Sequence, residues 1–182
     1  MKESTFKKKR KRLVFRTAML VVMAGLVVFA VFSSLKGDDA VIAKGEDAPN
    51  FQLNKFKNDE TVTLKGLEGK GVMLNFWATY CEPCKDEMPY MNELYSKYKE
   101  QGVEILAVNL DATDIVVEKF LKEYEITFPV LRDKQGQVMD LYNIGPIPTS
   151  IFINPEGEIV EQVQGALTLS KLEGYLQQIT PE

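Results

Sequence analysis

The stretch Val72-Met-Leu-Asn-Phe-Trp77-Ala-Thr-Tyr-Cys81-Glu-Pro-Cys84-Lys carries the strongest signal in this chain, because an apolar run of strand length passes directly into a helical pattern. Cys81 and Cys84, at that junction, are the only two cysteines. A thiolate in the first turn of a helix is stabilised by unpaired backbone N–H groups and the helix dipole, and a second thiol nearby can close a disulfide. The pattern predicts a dithiol/disulfide exchange site.

Other uses of a Cys-x-x-Cys pair find little support in the composition. The chain has no histidine and no third cysteine, so the ligands of a zinc site and the axial histidine of a c-type cytochrome are missing. A Cys/His or Ser/His hydrolase would lack its base. The structural alternative, two cysteines buried in a core, fits the strand-to-helix junction less well. We expect no metal and no cofactor beyond the redox-active disulfide.

The two ends of the chain carry opposite charge. Residues 1–36 contain nine Lys or Arg and one Glu, a net charge of +8, whereas residues 37–182 contain 13 basic and 25 acidic residues, a net charge of −12. The basic cluster Lys7–Arg12 precedes the uncharged run Thr17–Leu35, which is 19 residues long. As a helix this run would extend about 28 Å, close to the thickness of a bilayer core. It predicts a membrane-spanning segment.

Because basic residues stay on the cytoplasmic side, the N-terminus is expected inside and the acidic part outside the cell. A cleaved signal peptide is the alternative, but Ala30–Ser34 offers no good small-x-small cleavage site. The basic cluster is explained by the membrane, so we expect no nucleic-acid partner. The predicted organisation is a cytoplasmic basic segment, an uncleaved transmembrane anchor, a linker and one folded domain, at residues 1–12, 13–35, 36–47 and 48–182.

The folded domain alternates between strand and helix patterns. Apolar runs at Val72–Trp77 and Val103–Leu110 predict buried parallel strands, and a short strand follows near Pro129–Leu131. Thr149–Ile153 and Ile159–Val163 flank a turn with Pro and Gly and predict an antiparallel hairpin. Three amphipathic helices are indicated by apolar residues at helical spacing: Met91/Leu94/Tyr95/Tyr98, Val117/Phe120/Leu121/Tyr124 and Leu169/Leu172/Leu176/Ile179, the last capped by Thr168. With possible short strands near Phe51 and Val62, this predicts an α/β fold, a mixed sheet sandwiched by helices.

The motif around Cys81 and Cys84, together with Pro148 just before a strand, resembles the thioredoxin superfamily over residues 40–180. Within it, Cys-Glu-Pro-Cys and the single N-terminal anchor resemble the TlpA/ResA-like membrane-anchored thiol-disulfide oxidoreductases. This resemblance implies a thioredoxin-like fold and reduction of the disulfide of apocytochrome c during c-type cytochrome maturation. It also implies that a CcdA-type membrane thiol carrier supplies the electrons.

Position assigns roles to the residues of the motif. Cys81 is expected to be the exposed thiol that attacks, and Cys84, one turn further in, the thiol that resolves the mixed disulfide. Pro83 fits the first helical turn, where its missing N–H has no helical partner, and narrows the loop's conformations. Glu82 is expected to set local charge and partner choice. Glu87 could exchange a proton with a thiol, as the resemblance implies, or be an ordinary first-turn acid favoured by the dipole.

Three further predictions concern the cysteine environment. The carboxylates of Glu82 and Glu87 oppose the helix dipole, so we expect the pKa of Cys81 to exceed the value of about 7 typical of thioredoxin. The resemblance places a cis-proline at Pro148 and leaves the backbone of Ile147 open to an extended substrate, a trans turn proline being the alternative. Trp77 is expected to line the same groove, or to be core.

Three other functions share parts of this pattern. A thiol peroxidase would need Pro and Thr seven and three residues before its cysteine, where Leu74 and Ala78 stand before Cys81. A general extracytoplasmic disulfide oxidase or isomerase would use the same residues at a higher potential. A non-catalytic, membrane-tethered binding module would not need the thiols at all. The residues predict the chemistry but not its direction.

Overall fold

The computed structural model describes residues 16–27, 44–58 and 60–182. The chain divides into two units, Met1–Asp39 and Ala40–Glu182. In the first unit, residues 16–27 form helix α1 with exposed side chains. No helix within these described ranges is long and apolar enough to cross a membrane. The rest of the predicted anchor, the basic segment 1–12 and most of the predicted linker fall on residues 1–15 and 28–43, outside the described residues.

The second unit contains one seven-stranded sheet in the order β2-β1-β5-β4-β3-β6-β7. β3, β4 and β5 run parallel, whereas β6 is antiparallel to β3 and β7 to β6. The predicted mixed α/β sheet is therefore confirmed. The elements are β1 Gln52–Lys55, β2 Thr61–Thr63, a 3-10 helix Leu64–Leu67, β3 Gly71–Trp77, α2 Glu82–Glu100, β4 Val103–Asn109, α3 Asp114–Glu123, β5 Val130–Arg132, α4 Gln137–Leu141, β6 Thr149–Ile153, β7 Ile159–Gln164 and α5 Leu169–Gln178.

β3 is buried along its whole length because both faces of the sheet are covered. Successive side chains of a strand point to opposite faces, so β3 contributes to two separate cores. Met73 and Trp77 belong to a cluster that also holds apolar residues of α2, α3 and α5. Val72, Leu74 and Phe76 belong to the other, which includes residues of β1 and of α4. We refer to these as the α2 face and the α4 face of β3.

The predicted helices follow their apolar periodicity. The buried side of α2 contains the predicted Met91, Leu94, Tyr95 and Tyr98, and the helix continues through Pro89. Thr168 is the N-cap of α5, as predicted, although its side chain makes no hydrogen bond to the helix. Its backbone carbonyl instead accepts the N–H of Leu172 at 2.9 Å.

Some short segments were not predicted. The 3-10 helix Leu64–Leu67 and α4, five residues long, are too short to produce a clear periodic pattern. In addition, residues 44–47 of the predicted linker already bond to the domain. The N–H of Gly45 donates to the carbonyl of Ile159 at 2.8 Å, and Asp47 bridges Glu158.

The topology brings four chain segments to one edge of the sheet. Parallel strands end at the same edge, so the segments that follow β3, β4 and β5 are neighbours there. β6 is antiparallel and pairs Thr149 with Phe76, so the residues just before β6 reach this edge as well. The loop that carries Cys81 and the segment that contains Pro148 therefore meet at this edge.

Candidate active site

Cys81 and Cys84 form a disulfide with an S–S distance of 2.05 Å. Cys81 is the N-cap of α2, with an extended backbone, and its Sγ accepts the N–H of Cys84 at 3.3 Å. The N–H of Cys81 donates to the carbonyl of Ala78 at 3.1 Å, which closes a turn between β3 and the helix. The N–H of Cys84, in the first turn of α2, thus donates to the sulfur that the sequence identifies as the nucleophile.

The two sulfur-bearing residues differ in access to solvent. Cys81 is 7% exposed and Cys84 is 0% exposed. The difference follows from their positions, because the N-cap lies at the mouth of the helix while Cys84 lies in its first turn, against the α2-face core. A disulfide of another protein can therefore approach only Cys81.

Glu87 is completely buried, three residues beyond Cys84 on α2. Its Oε1 accepts the side-chain N–H of Asn75 at 2.7 Å, and its Oε2 accepts the backbone N–H of Leu167 at 3.0 Å. Burial raises the pKa of Glu87 to about 7, although both hydrogen bonds favour the ionised carboxylate. Glu87 is thus not an ordinary solvated first-turn acid. Its pKa suits proton exchange with a thiol near neutral pH.

The buried amide of Asn75 was not predicted as part of the site. Its Nδ2 also lies 3.1 Å from Ser150 Oγ on β6, while its Oδ1 has no hydrogen-bond partner in the described part of the chain. A buried, unpaired carbonyl oxygen is costly, so the benefit of placing Asn75 here lies in holding Glu87. The sequence contained a signal for it, since Asn75 is the single polar residue in the run Val72–Trp77.

The prediction that Trp77 lines the substrate groove is wrong. Trp77 is 0% exposed, and its ring packs against Phe120 with centroids 4.8 Å apart. The cause is the strand period, which points Trp77 into the α2-face core beneath the redox loop. The core interpretation of this residue is the one that the structure supports.

Glu82 and Pro83 lie on the surface of the first helical turn. The side chain of Glu82 is 80% exposed and its Oε1 pairs with Lys85 Nζ at 2.6 Å. Pro83 lies within the first two helical positions, as its missing N–H requires. Neither residue contributes to the buried polar network, and both face the solvent from which a partner would approach.

The peptide bond between Ile147 and Pro148 is cis. Pro148 is buried, its carbonyl accepts the N–H of Gly165 at 2.8 Å, and Ile147 packs against the core cluster that contains both cysteines. Among the residues that the structure describes, neither the N–H nor the carbonyl of Ile147 has a hydrogen-bond partner. This backbone is available to an extended peptide at the sheet edge that also carries the Cys81 loop.

In residues 16–27, 44–58 and 60–182, no group of three or more His, Cys, Asp or Glu side chains is placed to hold a metal ion. The chemistry that these residues support is proton transfer and thiol-disulfide exchange. A cysteine at a helix N-terminus has a stabilised thiolate, which is the species that exchanges with disulfides.

Comparison with known proteins agrees with this chemistry. Residues 44–162 match the model of the AhpC/TSA family. The chain is 57% identical over 179 residues to the thiol-disulfide oxidoreductase ResA of Oceanobacillus iheyensis, covering 97% of this chain and 93% of the relative. Of solved structures, a thiol:disulfide interchange protein DsbE from Chlorobium tepidum superposes with a TM-score of 0.70 at 36% identity, covering 76% and 98% of the two chains. StoA from Bacillus subtilis superposes with a TM-score of 0.62 at 32% identity, covering 70% and 96%.

The AhpC/TSA match does not restore the peroxidase alternative, because Leu74 and Ala78 still occupy the positions that the peroxidase signature requires to be Pro and Thr. Both side chains are completely buried and apolar, so they cannot assist a peroxide. With its exchangeable Cys81–Cys84 disulfide on a thioredoxin-like fold, the chain belongs to the AhpC/TSA family and, within it, to the ResA thiol-disulfide oxidoreductases.

Proposed function

We propose that this enzyme works outside the cytoplasm as a reductant of the disulfide in apocytochrome c, so that the haem-binding thiols become available during c-type cytochrome maturation. The observation that carries the proposal is the difference in access between Cys81, at 7% exposure, and Cys84, at 0%. One thiol can meet a client and the other is reserved for release. Similarity to ResA proteins supports thiol-disulfide exchange. The choice of client class follows from the resemblance of the Cys-Glu-Pro-Cys motif to the TlpA/ResA-like oxidoreductases.

The reaction starts from the reduced enzyme. The Cys81 thiolate attacks one sulfur of the client disulfide, forms a mixed disulfide and expels the second client sulfur as a thiolate. Cys84 then attacks Cys81, forms the intramolecular disulfide and releases the first client sulfur as a thiolate. The client gains two electrons and the enzyme loses two. No cofactor is required beyond the cysteine pair.

Glu87 accepts the proton of Cys84 in the second step, the attack of Cys84 on the mixed disulfide. Cys84 attacks only as a thiolate, and three residues along a helix place Glu87 beside it. Because the pKa of Glu87 is about 7, its carboxylate can take the Cys84 proton near neutral pH and return it in the reverse reaction. The hydrogen bonds from Asn75 and Leu167 hold the carboxylate in one orientation meanwhile.

The client binds as an extended strand along the free backbone of Ile147, beside Pro148. The exposed Glu82 and Pro83 border the approach to Cys81 and contribute to partner choice.

Residues 13–35 anchor the enzyme in the cell membrane, with the N-terminus in the cytoplasm and the catalytic domain outside. The cluster of basic residues Lys7–Arg12, close before this segment, supports this orientation. A CcdA-type membrane thiol carrier restores the reduced enzyme by giving two electrons to the Cys81–Cys84 disulfide. A reductase in an oxidising compartment needs such a supply.

The trapping variant Cys84→Ser tests the proposal, because it leaves the mixed disulfide at Cys81 unresolved. Expressed as the full chain, it should retain an apocytochrome c that is released by dithiothreitol, whereas Cys81→Ser/Cys84→Ser should retain none. Capture of a broad set of secreted proteins instead would overturn the client assignment. Equilibration with glutathione tests the direction, since a potential near that of DsbA, about −120 mV, would identify an oxidase.

A further inference from the structure

A second buried carboxylate, Asp111, contacts the loop that carries Cys81. Asp111 lies two residues beyond the end of β4 and is 5% exposed. Its Oδ2 accepts the backbone N–H of Thr79 at 2.8 Å, and its Oδ1 accepts the hydroxyl of the same residue at 2.7 Å. Both oxygens of one carboxylate are thus bound to one residue of the redox loop, two positions before Cys81.

The carboxylate of Asp111 is itself fixed from the other side. Asn109 Nδ2 donates to Asp111 Oδ2 at 2.7 Å, and the backbone N–H of Asp111 donates to Asn109 Oδ1 at 3.1 Å. Arg132, at the end of β5, donates through Nη1 to Asn109 Oδ1 and through Nη2 to the carbonyl of Asp111 at 2.9 Å. Arg132 in turn pairs with Asp114 on α3 at 2.8 Å. Hydrogen bonds therefore connect the ends of β4 and β5 to the redox loop without a gap.

We propose that Asp111 is a positioning residue for Cys81. By holding Thr79, Asp111 keeps the Cys81 sulfur within reach of Cys84 when no disulfide joins the two cysteines. In the oxidised enzyme the disulfide itself ties the loop to α2. In the reduced enzyme and in the mixed disulfide that tie is gone, whereas the two bonds from Thr79 to Asp111 still attach the loop to the end of β4.

The two steps of exchange depend differently on this attachment. The first attack needs only the Cys81 sulfur and a mobile reagent. Resolution needs the Cys84 sulfur to meet the Cys81 sulfur in line, and an intramolecular step loses its advantage when one partner is misplaced by about 1 Å. A released loop should therefore slow resolution far more than attack. The proposal rests on the exchange chemistry at Cys81 and not on the identity of the client.

Ellman's reagent separates the two steps. The Cys81 thiolate attacks its disulfide, becomes joined to one thionitrobenzoate and releases the other, after which Cys84 attacks Cys81 and releases the second. Reduced enzyme followed by stopped-flow absorbance thus gives one rate for each release. In Asp111→Ala we expect the second release to slow by about 10- to 100-fold, while the first changes by less than about threefold.

Asp133 provides a matched control. It is another buried aspartate, 3% exposed, whose Oδ2 accepts two backbone N–H groups, those of Val138 and Met139 at 3.0 and 2.8 Å. Asp133→Ala should lower the denaturation midpoint as Asp111→Ala does, because the first loses two and the second three buried hydrogen bonds, but it should leave the ratio of the two release rates unchanged.

If Asp111→Ala does not fold, substitutions at Thr79 test the same hydrogen bonds. Thr79→Ser preserves both bonds to Asp111 and should behave as the parent enzyme, whereas Thr79→Val loses the hydroxyl bond and should slow the second release by a smaller factor than Asp111→Ala. If Asp111→Ala, or Thr79→Val in its place, lowers stability without changing the ratio of the release rates, Asp111 is only structural and the proposal is wrong.

Discussion

The two faces of β3 use the same strand in different ways. On the α4 face, Val72, Leu74 and Phe76 are all apolar and buried. On the α2 face, Asn75 stands between Met73 and Trp77 and bonds the buried Glu87. Burying an amide and a carboxyl costs free energy that a third apolar residue would not cost. The difference indicates that the α4 face provides stability, whereas the α2 face gives up some stability to hold an ionisable group behind the cysteines.

The largest expected effect is the loss of thiol-disulfide exchange when Cys81, at the start of α2, is replaced. Cys81→Ser removes the one accessible thiol, so exchange with an oxidised model peptide should fall at least 1,000-fold, to about the uncatalysed level. Loss of the enzyme's own free thiols after mixing with the peptide, read by mass spectrometry after alkylation, is the measurement, and Cys84→Ser is the matched control. Because Cys84→Ser keeps the attacking thiol, it should still consume one thiol and then stop. Full activity in Cys81→Ser would place the nucleophile elsewhere.

Leu74→Ala tests the α4 face. Leu74 is 0% exposed, so truncation should lower the free energy of unfolding by about 2–5 kcal/mol through lost burial and a cavity. Urea denaturation of the oxidised protein measures this loss. At temperatures where the variant stays folded, its exchange rate should equal that of the parent, since the hydrogen-bond partners of Glu87 in the described ranges, Asn75 and Leu167, do not belong to this face. A Leu74→Ala variant with unchanged stability but a slower exchange rate would contradict the assignment of stability to the α4 face and of proton transfer to the α2 face.

The sequence predicted most of the strands and helices, but not the contacts between distant segments, and the difference has a physical reason. Apolar runs and helical spacing predicted the strands β3 to β7, the three long helices of the domain, and the position of Cys81 at the start of α2. These signals are local, because each depends on the periodicity of one segment. The possible strands near Phe51 and Val62 are also present, as β1 and β2.

The contacts between segments could not be predicted in the same way. Glu87 accepts a hydrogen bond from Leu167, which is 80 residues away in sequence. Thr79 donates a hydrogen bond to Asp111, which is 32 residues away. Only the sheet order shows that these segments meet. The groove interpretation of Trp77 is wrong for a related reason, since proximity to Cys81 in sequence suggested the groove while the strand period points its ring into the core, the alternative that the sequence also left open.

Glu87→Gln sharpens the comparison by removing the charge from the α2 face. Burial raises the pKa of Glu87 from 4.5 to about 7, so the folded protein keeps this proton over a range in which the unfolded chain has lost it. The contribution of Glu87 to stability is therefore fully present below pH 4.5 and declines as the pH rises to about 7. The decline should amount to about 3 kcal/mol, at roughly 1.4 kcal/mol per pH unit.

Urea denaturation of the oxidised parent and of Glu87→Gln, at several pH values from 4.5 to 8, measures this decline as the difference between the two proteins. All other carboxyls are common to both and cancel. The same pair of proteins tests the cysteine prediction, because removing a carboxylate should lower the pKa of Cys81 in the reduced enzyme. A difference that does not vary with pH, or a lower Cys81 pKa in the parent, would contradict these assignments.

The smallest effect, a small fall in the pKa of Cys81, is expected from Glu82→Gln. This variant tests whether burial of a carboxylate or its closeness to Cys81 in sequence decides how far it raises that pKa. Glu82 is adjacent to Cys81 in sequence and Glu87 is six residues away, yet Glu82 is 80% exposed and paired with Lys85. Solvent and the ammonium group screen its charge, whereas Glu87 is buried without a cationic partner among the described residues. Thiolate absorbance against pH should therefore show a smaller fall in the Cys81 pKa for Glu82→Gln than for Glu87→Gln, with no measurable change in the denaturation midpoint. The reverse order would mean that the charge nearest in sequence dominates and that the buried network on the α2 face serves the fold alone.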